Sequence, residues 1–318
     1  MRVLVTGGAG FIGSHLAARL LADGHDVRIL DNFATGRRWN IEAIGGDVEL
    51  VEGDIQSYER ANKAVRGCEI VFHQAALPSV PRSIQDPLTS NATNVVGTLN
   101  ILLAARDEGV RRVICASSSS VYGANPTLPK HEDLPALPIS PYATAKLASE
   151  GYCRSFGIGY DLDTVALRYF NVFGARQDPT SQYAAVIPNF ITALLQGAPV
   201  TIFGDGEQSR DFTHVDNVVD ANLLAIDAAG VSGTTLNIAY GHKVTLNQLV
   251  AELQELIGSN AEVRYEPARP GDVKHSLADL TRAREDLGYE PVIDLREGLS
   301  RTVEHYREQH AAAALPSV

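Results

Sequence analysis

A cluster of glycines directly after a short apolar strand constrains this chain more than any other feature of its sequence. The strand is predicted over Val3–Thr6 and the following helix over Phe11–Leu21. Between them, the run GGAGFIG contains the spacing G-x-G-x-x-G. A strand-to-helix turn this tight requires residues without a Cβ atom, and the free N–H groups of the first helical turn attract an anion. The pattern predicts a βαβ unit that binds the pyrophosphate of a dinucleotide.

An acidic residue ends the second predicted strand. Asp31 follows Val27–Leu30, and a carboxylate at this place accepts hydrogen bonds from the adenosine ribose hydroxyls and repels a 2′-phosphate. The position therefore favours NAD over NADP. Arg37 and Arg38 follow closely and weaken this preference, because a guanidinium can accommodate a 2′-phosphate. Asp54, after the third strand, is expected either to contact adenine or to cap a helix.

Strands and helices alternate through the first half of the chain. Further strands are predicted over Val48–Glu52, Ile70–Phe72, Arg112–Ala116 and Asp163–Arg168, and helices over Tyr58–Val65, Asn94–Glu108 and Ser140–Phe156. Beyond Asn171 we predict the strands Val200–Phe203 and Leu236–Ile238, the helices Tyr183–Gln196, Val215–Ala229, Leu246–Leu256, Leu280–Leu287 and Leu295–Gln309, and a frayed tail, Ala311–Val318. The alternation predicts an α/β fold, a Rossmann-type doubly wound parallel sheet with a smaller, interleaved α/β C-terminal substrate lobe.

The composition limits the classes of partner. Lys and Arg total 27 against 38 Asp and Glu, for a net charge of −11, which argues against nucleic acid as a partner. Cys68, Cys115 and Cys153 match no metal-binding spacing and do not form a complete disulfide framework. A strand is predicted almost at once and no apolar run is long enough to span a bilayer, so we expect neither a signal peptide nor membrane contact. A cytoplasmic protein with reduced, largely buried thiols and no metal site is expected.

Tyr142 and Lys146 are four residues apart on a predicted helix, so they share one face. A phenol with a pKa near ~10 is a poor base at neutral pH. A neighbouring ammonium and a positively charged nicotinamide both favour the phenolate, and lowering the pKa by ~3 units needs ~4 kcal/mol. The pair predicts Tyr142 as a catalytic base and Lys146 as the cation that supports it and holds the nicotinamide ribose.

Four serines, Ser117–Ser120, end a predicted strand at the edge where open α/β sheets bind ligands. One of the four hydroxyls is expected to hydrogen-bond the reacting oxygen and relay its proton. The other three are expected to belong to a serine-rich turn.

Five motifs in order give the chain a family resemblance: VTGGAGFIGSHL, HQAA, SSSSVYG, SPYATAK and RYFNVFG. Together they resemble the extended short-chain dehydrogenase/reductase family, and within it the NAD-dependent nucleotide-sugar 4-epimerases, over nearly the whole chain. The resemblance implies an NAD-binding Rossmann domain over residues 1–170, to which a segment of about 213–240 returns, and mainly a nucleotide-sugar-binding lobe over 171–318. It also implies a homodimer whose helix bundle contains Asn94–Glu108 and Ser140–Phe156, although their apolar faces are equally consistent with packing on the sheet.

The resemblance assigns the catalytic hydroxyl to Ser118, five residues before Gly123. Ser119 and Ser120 stand where the sugar 4,6-dehydratases carry Asp and Glu and the decarboxylases keep the Glu. Without an acid at these positions an elimination has no proton donor. An epimerase is therefore favoured over a nucleotide-sugar dehydratase or a net oxidoreductase.

The resemblance also implies two sets of contacts. The expected cofactor contacts are Gly7, Gly10, Phe11, Ile12, Gly13, Asp31, Asn32, Gly36, Asp54, Ile55, Gln74, Ala75, Ala76, Asn94, Tyr142, Lys146 and Tyr169. The expected substrate contacts are Ser79, Arg82, Ser118, Ser119, Ser120, Tyr142, Asn171, Ala185, Val186, Ile187, Phe203, Arg210, Arg269, Asp272 and Ser276. Within these sets, Asn94 resembles an asparagine that steadies the catalytic strand region. Arg210 and Arg269 resemble an arginine pair that binds the two phosphates.

Ser276 bears on the choice of sugar. It resembles the residue that walls the pocket near the sugar C2 group, where a small side chain admits an N-acetyl group and Tyr excludes it. The expected reaction is 4-epimerisation of UDP-N-acetylglucosamine and UDP-N-acetylgalactosamine, with UDP-glucose and UDP-galactose also open. Alternatives are a UDP-glucuronate 4-epimerase, with Arg82 as the carboxylate partner, and a catalytically silent NAD-binding protein, against which the intact Ser118, Tyr142 and Lys146 argue.

Overall fold

The computed structural model describes residues 1–179, 185–268 and 274–314. The strands are β1 Arg2–Thr6, β2 Asp26–Asp31, β3 Glu49–Glu52, β4 Ile70–His73, β5 Arg112–Ser118, β6 Asp163–Tyr169, β7 Val172–Phe173, β8 Val200–Phe203, β9 Ser209–Asp211, β10 Thr213–His214, β11 Thr234–Ile238, β12 Lys243–Thr245 and β13 Val263–Glu266. The α-helices are α1 Phe11–Ala22, α2 Arg38–Glu42, α3 Tyr58–Val65, α4 Val80–Gln85, α5 Pro87–Asn91, α6 Gly97–Asp107, α7 Pro141–Gly159, α8 Val186–Leu195, α9 Val215–Leu224, α10 Leu246–Ile257, α11 Thr281–Leu287 and α12 Leu295–Ala314.

Within the described residues, seven strands form one parallel sheet in the order β11-β6-β5-β4-β1-β2-β3. The sheet confirms the predicted Rossmann-type fold. The chain order reverses between β1 and β4, so the loops that follow these two strands leave in opposite directions and open a crevice at the carboxyl edge of the sheet. Any ligand site is expected there.

The sheet is covered on both faces because successive side chains of a strand point to opposite sides. Val3 and Val5 of β1 are fully buried in a core that contains Leu16 of α1, whereas Leu4 joins a second core with Ile101 of α6. Full burial of side chains of this size contributes about 1.5–3 kcal/mol each. The two cores hold helices α1 and α6 on opposite faces, which fixes the direction of the loops that precede them.

A second lobe has its own core. Phe190 of α8, Leu253 of α10 and Val303 of α12 pack against Ile202 of β8. β8 pairs with β13 in parallel, and β9 pairs with β12 in antiparallel orientation. A smaller C-terminal α/β lobe is therefore present, as the fold prediction expected, and its role in substrate binding stays a prediction. Its β8 and β9 face the carboxyl edge of the main sheet through residues that line one common cleft.

Some predicted elements differ from the observed ones. The helix predicted to reach Ala229 ends at Leu224, because Arg112 takes the carbonyls of Ala225 (2.6 Å) and Ile226 (3.1 Å) as hydrogen-bond acceptors. α6 is preceded by a π-helical turn over Ala92–Val96.

At the C-terminal end, α12 continues to Ala314 where a frayed tail from Ala311 was expected. Alanine has the highest helix propensity, which favours this continuation. Residues 183 and 184 of the helix predicted from Tyr183 lie outside the described residues, and so do residues 315–318 of the predicted tail.

Candidate active site

A cleft of about 1850 Å³ lies along the carboxyl edge of the sheet. The loops after β1, β2, β3, β4 and β5 line one side of it, and residues of α8, β8 and β9 from the second lobe line the other. The cleft therefore occupies the place at which open α/β sheets bind ligands. Most of the site residues predicted from the sequence line this single space.

The glycine loop is shaped to approach a ligand closely. Gly7 has φ +70°, and a Cβ atom there would lie 2.8 Å from the backbone of Ala75. A Cβ atom on Gly13 would lie 2.2 Å from the carbonyl oxygen of Gly7. Gly10 caps the N-terminus of α1 without a side-chain hydrogen bond, so the first N–H groups of the helix are directed at the cleft. This cradle fits the pyrophosphate of a dinucleotide.

Asp31 holds the loop in this shape. Its carboxylate accepts hydrogen bonds from the backbone N–H groups of Ala9 (2.9 Å) and Phe33 (2.8 Å). Burial raises the pKa of Asp31, and these hydrogen bonds oppose the rise. Asp31 lines the cleft, where it fits an adenosine ribose hydroxyl.

The two arginines that weakened the sequence-based preference for NAD are both paired with carboxylates. Arg37 forms an ion pair with Asp178 at 2.6 Å. Arg38 forms one with Glu52 at 2.8 Å and lies over the ring of Phe33 at 4.2 Å. Each guanidinium is paired with a carboxylate, so the two arginines no longer favour NADP, the cofactor with the 2′-phosphate.

Asp54 does not cap a helix. Ser57 caps α3, and its side chain accepts a hydrogen bond from Arg60 N–H. The carboxylate of Asp54 instead accepts from the side chain of Asn32 (2.8 Å) and the backbone of Gln56 (2.8 Å). Asp54 and Asn32 both line the cleft, so both are placed where the expected contact with adenine can form.

Among the predicted contacts that the structure describes, three do not line the cleft. Asn94 is 1% exposed, and its side chain is occupied by the backbone of Leu77 through bonds of 2.8 and 3.1 Å. It therefore steadies the loop after β4, in line with the steadying role that the resemblance implies, and its contact with the cofactor stays a prediction. Gly36 lies against Ala9, where a Cβ atom would meet the Ala9 side chain at 2.8 Å. Ile187 is buried beside the cleft and lines a smaller adjoining cavity of about 260 Å³.

The three predicted catalytic residues all line the cleft, and the side chains of Ser118 and Tyr142 are hydrogen-bonded to each other. Ser118 is the last residue of β5. Tyr142 and Lys146 lie on α7, whose N-terminus is fixed by the side chain of Ser140, which caps it, and by Pro141 in the first turn. The backbone N–H of Tyr142 also donates to the Ser83 hydroxyl at 3.1 Å.

The pKa of the Tyr142 phenol differs from the expectation that the neighbouring ammonium and the nicotinamide lower it. Burial raises the pKa of Tyr142, and a hydrogen bond from Ser118 lowers it. The Lys146 ammonium donates to the carbonyl of Ala116 at 2.8 Å, because a buried ammonium needs an acceptor and the end of β5 supplies one. Burial lowers the pKa of Lys146 to about 8. The full lowering of the phenol pKa therefore requires a further positive charge in the cleft.

The four serines have separate environments. Ser117 donates to the buried carboxylate of Glu150 at 2.5 Å. Ser119 and Ser120 begin a 3-10 turn that is capped by the Ser118 side chain. The hydroxyl oxygen of Ser120 is buried and has no hydrogen-bond partner, although the residue lines the cleft. An unsatisfied hydroxyl at this place is available to a bound ligand.

The second lobe supplies the other end of the cleft. Asn171, Val186, Phe203, Arg210 and Ser276 all line it, as do Ala185, the α4 residue Arg82 and the residue that caps α4, Ser79. Ser79 and Asn171 have positive φ angles of 107° and 29°, which for residues with a Cβ atom is strain that accumulates at functional sites. The predicted contacts Arg269 and Asp272 lie outside the described residues.

Some polar residues of the cleft were not predicted, among them Lys130, Gln177, Asp178 and His275. Lys130 is brought in by a β-bridge to Ala278, and His275 by a bridge to Ser209. These are long-range pairings, and no local pattern in the sequence signals them.

All three cysteines are buried and unpaired, as expected. Among the described helices, none combines the length and apolar character that crossing a bilayer requires.

The fold and the site together define a dinucleotide-dependent enzyme of the short-chain dehydrogenase/reductase class. The chain belongs to the NAD dependent epimerase/dehydratase family, whose model matches residues 3–239. This match confirms the resemblance seen in the sequence, the use of NAD and the prediction of an enzyme of the epimerase class.

Individual relatives cover nearly the whole chain. A UDP-glucose 4-epimerase of Mycolicibacterium smegmatis is 43% identical over 313 residues, which is 97% of this chain and 99% of that protein. The structure of the Thermotoga maritima UDP-glucose 4-epimerase with UDP-glucose superposes with a TM-score of 0.93 at 40% identity, covering 98% of this chain and 100% of that one. A UDP-N-acetylglucosamine 4-epimerase from Methanobrevibacter ruminantium, in complex with UDP-N-acetylmuramic acid, gives a TM-score of 0.93 at 41% identity, covering 97% and 98%.

Proposed function

We propose that this chain is an NAD-dependent UDP-hexose 4-epimerase that interconverts UDP-N-acetylglucosamine and UDP-N-acetylgalactosamine and also accepts UDP-glucose and UDP-galactose. The observation that carries the proposal is the meeting of Ser118, Tyr142 and Lys146 in the cleft that the glycine loop enters. The similarity to 4-epimerases of UDP-glucose and of UDP-N-acetylglucosamine supports the reaction class.

In the proposed reaction Tyr142 takes the proton of the sugar C4 hydroxyl, directly or through Ser118. NAD, when bound, supplies reversible hydride transfer at C4. Lys146 holds the nicotinamide ribose and adds positive charge near the phenol, which opposes the effect of burial on the Tyr142 pKa. Tyr142 later returns the proton after the 4-keto sugar has presented its other face.

Inversion requires an anchored nucleotide and a sugar that can turn. Arg210 and Phe203 line the far end of the cleft and are proposed to hold the diphosphate and the uracil, together with Arg269 and Asp272. Residues 1–170 with the returning segment 213–240 are proposed to bind NAD, and residues 171–318 mainly the nucleotide sugar. The sugar would turn between these two fixed ends.

The acids of the cleft argue against the dehydratase alternative. Among the lining residues that the structure describes, the carboxylates are Asp31, Asp54 and Asp178. Asp31 and Asp54 belong to the glycine-loop end, and Asp178 is paired with Arg37. Ser119 and Ser120 present hydroxyls where an elimination needs an acid.

The proposal is tested with the purified protein, without added NAD, on UDP-glucose, UDP-N-acetylglucosamine and UDP-glucuronate in parallel. NMR of the anomeric and C4 protons follows each sugar. The expected result is conversion to the C4 epimer without a change of mass, fastest for the N-acetylated sugar. Preference for UDP-glucuronate would select the alternative in which Arg82 meets a carboxylate, and a change of sugar mass or net NADH would contradict the epimerase.

A homodimer through Asn94–Glu108 and Ser140–Phe156 is also proposed. Analytical ultracentrifugation tests it, and a monomer at micromolar concentration would contradict it.

A further inference from the structure

A carboxylate lies buried directly behind the three catalytic residues. Glu150 is 6% exposed and stands on α7 one helical turn after Lys146. It accepts a hydrogen bond from the Ser117 hydroxyl at 2.5 Å and two from the Arg168 guanidinium at 2.8 Å each. Arg168 is itself 6% exposed. The reaction proposed above makes no use of this group.

The position of Glu150 ties the catalytic helix to the catalytic strand. Tyr142, Lys146 and Glu150 recur every four residues, so they follow one face of α7. Ser117 directly precedes Ser118 on β5 and pairs in register with Arg168 on β6. The carboxylate thus contacts the two strands behind the site while its own helix carries the base.

A buried ion pair carries a large desolvation cost, and replacing one with apolar residues is often neutral for stability. Its presence behind a catalytic centre is therefore weak evidence for a role in stability, and we consider a role in the active site. The charge of Glu150 acts on its neighbour on the helix. Burial lowers the pKa of Lys146, and Cys115 of β5, Cys153 of α7 and, least of the three, Glu150 raise it.

Apart from the thiols of Cys115 and Cys153, the groups that face Lys146 add no negative charge. His73 of β4 is buried, and the Lys146 charge lowers its pKa further, so it faces Lys146 as a neutral ring. The Arg168 cation is paired with the Glu150 carboxylate at 2.8 Å and lies over the Tyr122 ring at 4.8 Å. Glu150 is the carboxylate among the described residues that acts on Lys146.

We propose that Glu150 is a positioning residue of the active site, which keeps Lys146 protonated at working pH and fixes Ser118 relative to Tyr142 through Ser117. The inference rests on the proposed function, since that function gives Lys146 its task. It predicts that a neutral residue at position 150 moves the titration of Lys146 and not merely the stability of the fold.

The test compares Glu150→Gln with the parent protein. Glutamine keeps the shape and can still accept a hydrogen bond from Arg168, but it removes the charge.

The lysine side chains are labelled with ¹³C at Cε and titrated by NMR. The variant Lys146→Arg identifies the Lys146 signal among those of the other lysines, which are Lys63, Lys130, Lys243 and Lys274. The Lys146 midpoint is expected to fall by about one pH unit in Glu150→Gln, because a unit charge one turn away in a medium of effective dielectric ~20 has an effect of this order. The alkaline limit of kcat is expected to fall by a similar amount.

Two controls separate this role from a structural one. Asp163→Asn breaks the Arg112–Asp163 ion pair at the opposite end of the same two strands, and it should lower the melting temperature without moving the Lys146 midpoint. Glu150→Asp keeps the charge and should restore a midpoint near that of the parent. An unchanged midpoint in Glu150→Gln, or an equal shift in Asp163→Asn, would overturn the proposal.

If Glu150→Gln does not fold with an unpaired Arg168, the double variant Glu150→Gln/Arg168→Gln removes both charges. Loss of the Arg168 cation opposes the loss of the Glu150 anion, so the midpoint should fall by less than in Glu150→Gln, and an unchanged midpoint again overturns the proposal. The NMR readout needs no substrate. If the parent protein shows the shift yet epimerises none of the UDP sugars, the proposed function fails while the Glu150–Lys146 coupling stands.

Discussion

Arg37 and Asp178 join the two sides of the cleft at its mouth, with the guanidinium nitrogen 2.6 Å from the carboxylate oxygen. Arg37 follows β2 beside the glycine loop, and Asp178 belongs to the segment after β7. That same segment is held on α1 by His15, which meets the Ala175 carbonyl at 2.9 Å, and by Arg176, which donates to the Ser14 carbonyl at 3.3 Å. The contacts place the chain after β7 across the glycine-loop end of the cleft.

Asp178→Asn is therefore expected to speed the release of NAD. The ion pair is partly exposed, with 47% and 24% of the two side chains accessible, so it is worth no more than about 1 kcal/mol and the rate should rise about three-fold. The release is followed after dilution into an excess of labelled NAD, and the difference from the parent should shrink at high salt.

The matched control for this prediction is Glu52→Gln. It removes the carboxylate partner of the adjacent Arg38, at 2.8 Å, but does not touch the segment after β7. Equal release rates from Asp178→Asn and Glu52→Gln would show that the Arg37–Asp178 contact does not retain the cofactor.

Tyr142→Phe is expected to lower kcat by about a thousand-fold, because general acid–base catalysis contributes about 10²–10⁴. Binding of the UDP sugar should stay within about two-fold, since the phenol oxygen is needed in the transition state. NMR rates and calorimetric titration with UDP measure the two effects. Tyr152→Phe makes the same change on the outer part of α7, where Tyr152 packs on the core of α3 and α6. It should retain normal rates, and near-normal epimerisation by Tyr142→Phe would remove Tyr142 as the base.

Ser276→Tyr is expected to separate the sugars. Ser276 lines the cleft, and its backbone N–H donates to the Ser209 carbonyl at 3.0 Å, an interaction that any side chain allows. A phenol ring there fills space near the proposed N-acetyl position, so kcat/KM for UDP-N-acetylglucosamine should fall at least about ten-fold relative to that for UDP-glucose. Ser276→Ala should leave the ratio within about two-fold. Equal losses on both sugars in Ser276→Tyr would argue that Ser276 does not face C2.

The parts of the fold that the sequence predicts well are those set by local patterns. The βαβ unit follows from three adjacent signals, the apolar run Val3–Thr6, the glycines and the apolar spacing of the next helix. α3 begins at Tyr58 and ends at Val65 as predicted, because Ser57 and the apolar spacing lie within a few residues of each other. Such signals need no knowledge of what packs against the segment.

Long-range contacts explain where the prediction fails. α9 ends early because Arg112, far away in the chain, takes the carbonyls that follow Leu224. The sequence likewise does not signal the bonds from Asn94 to Leu77 or from the Lys146 ammonium to the Ala116 carbonyl. The motifs locate Asn94 and Lys146, but tertiary packing decides the partners of both, and the motifs do not encode that packing.

His73 should make the fold sensitive to mild acid. Its ring is buried between the hydroxyls of Thr6 (2.8 Å) and Thr98 (2.9 Å), and burial together with the Lys146 charge lowers its pKa from 6.5 to about 3. The unfolded chain takes up a proton below pH ~6.5 while the folded protein does not, so stability present above that pH is lost as pH falls from ~6.5 toward ~3, by up to about 1.4 kcal/mol per pH unit. Urea unfolding between pH 8 and 5 measures this slope.

His73→Gln should be less stable at pH 8, and its stability should depend less steeply on pH. The slope should be reduced and not abolished, because burial also lowers the pKa of His15 to about 4. A slope in His73→Gln as steep as the parent slope would show that His73 is not the group that titrates.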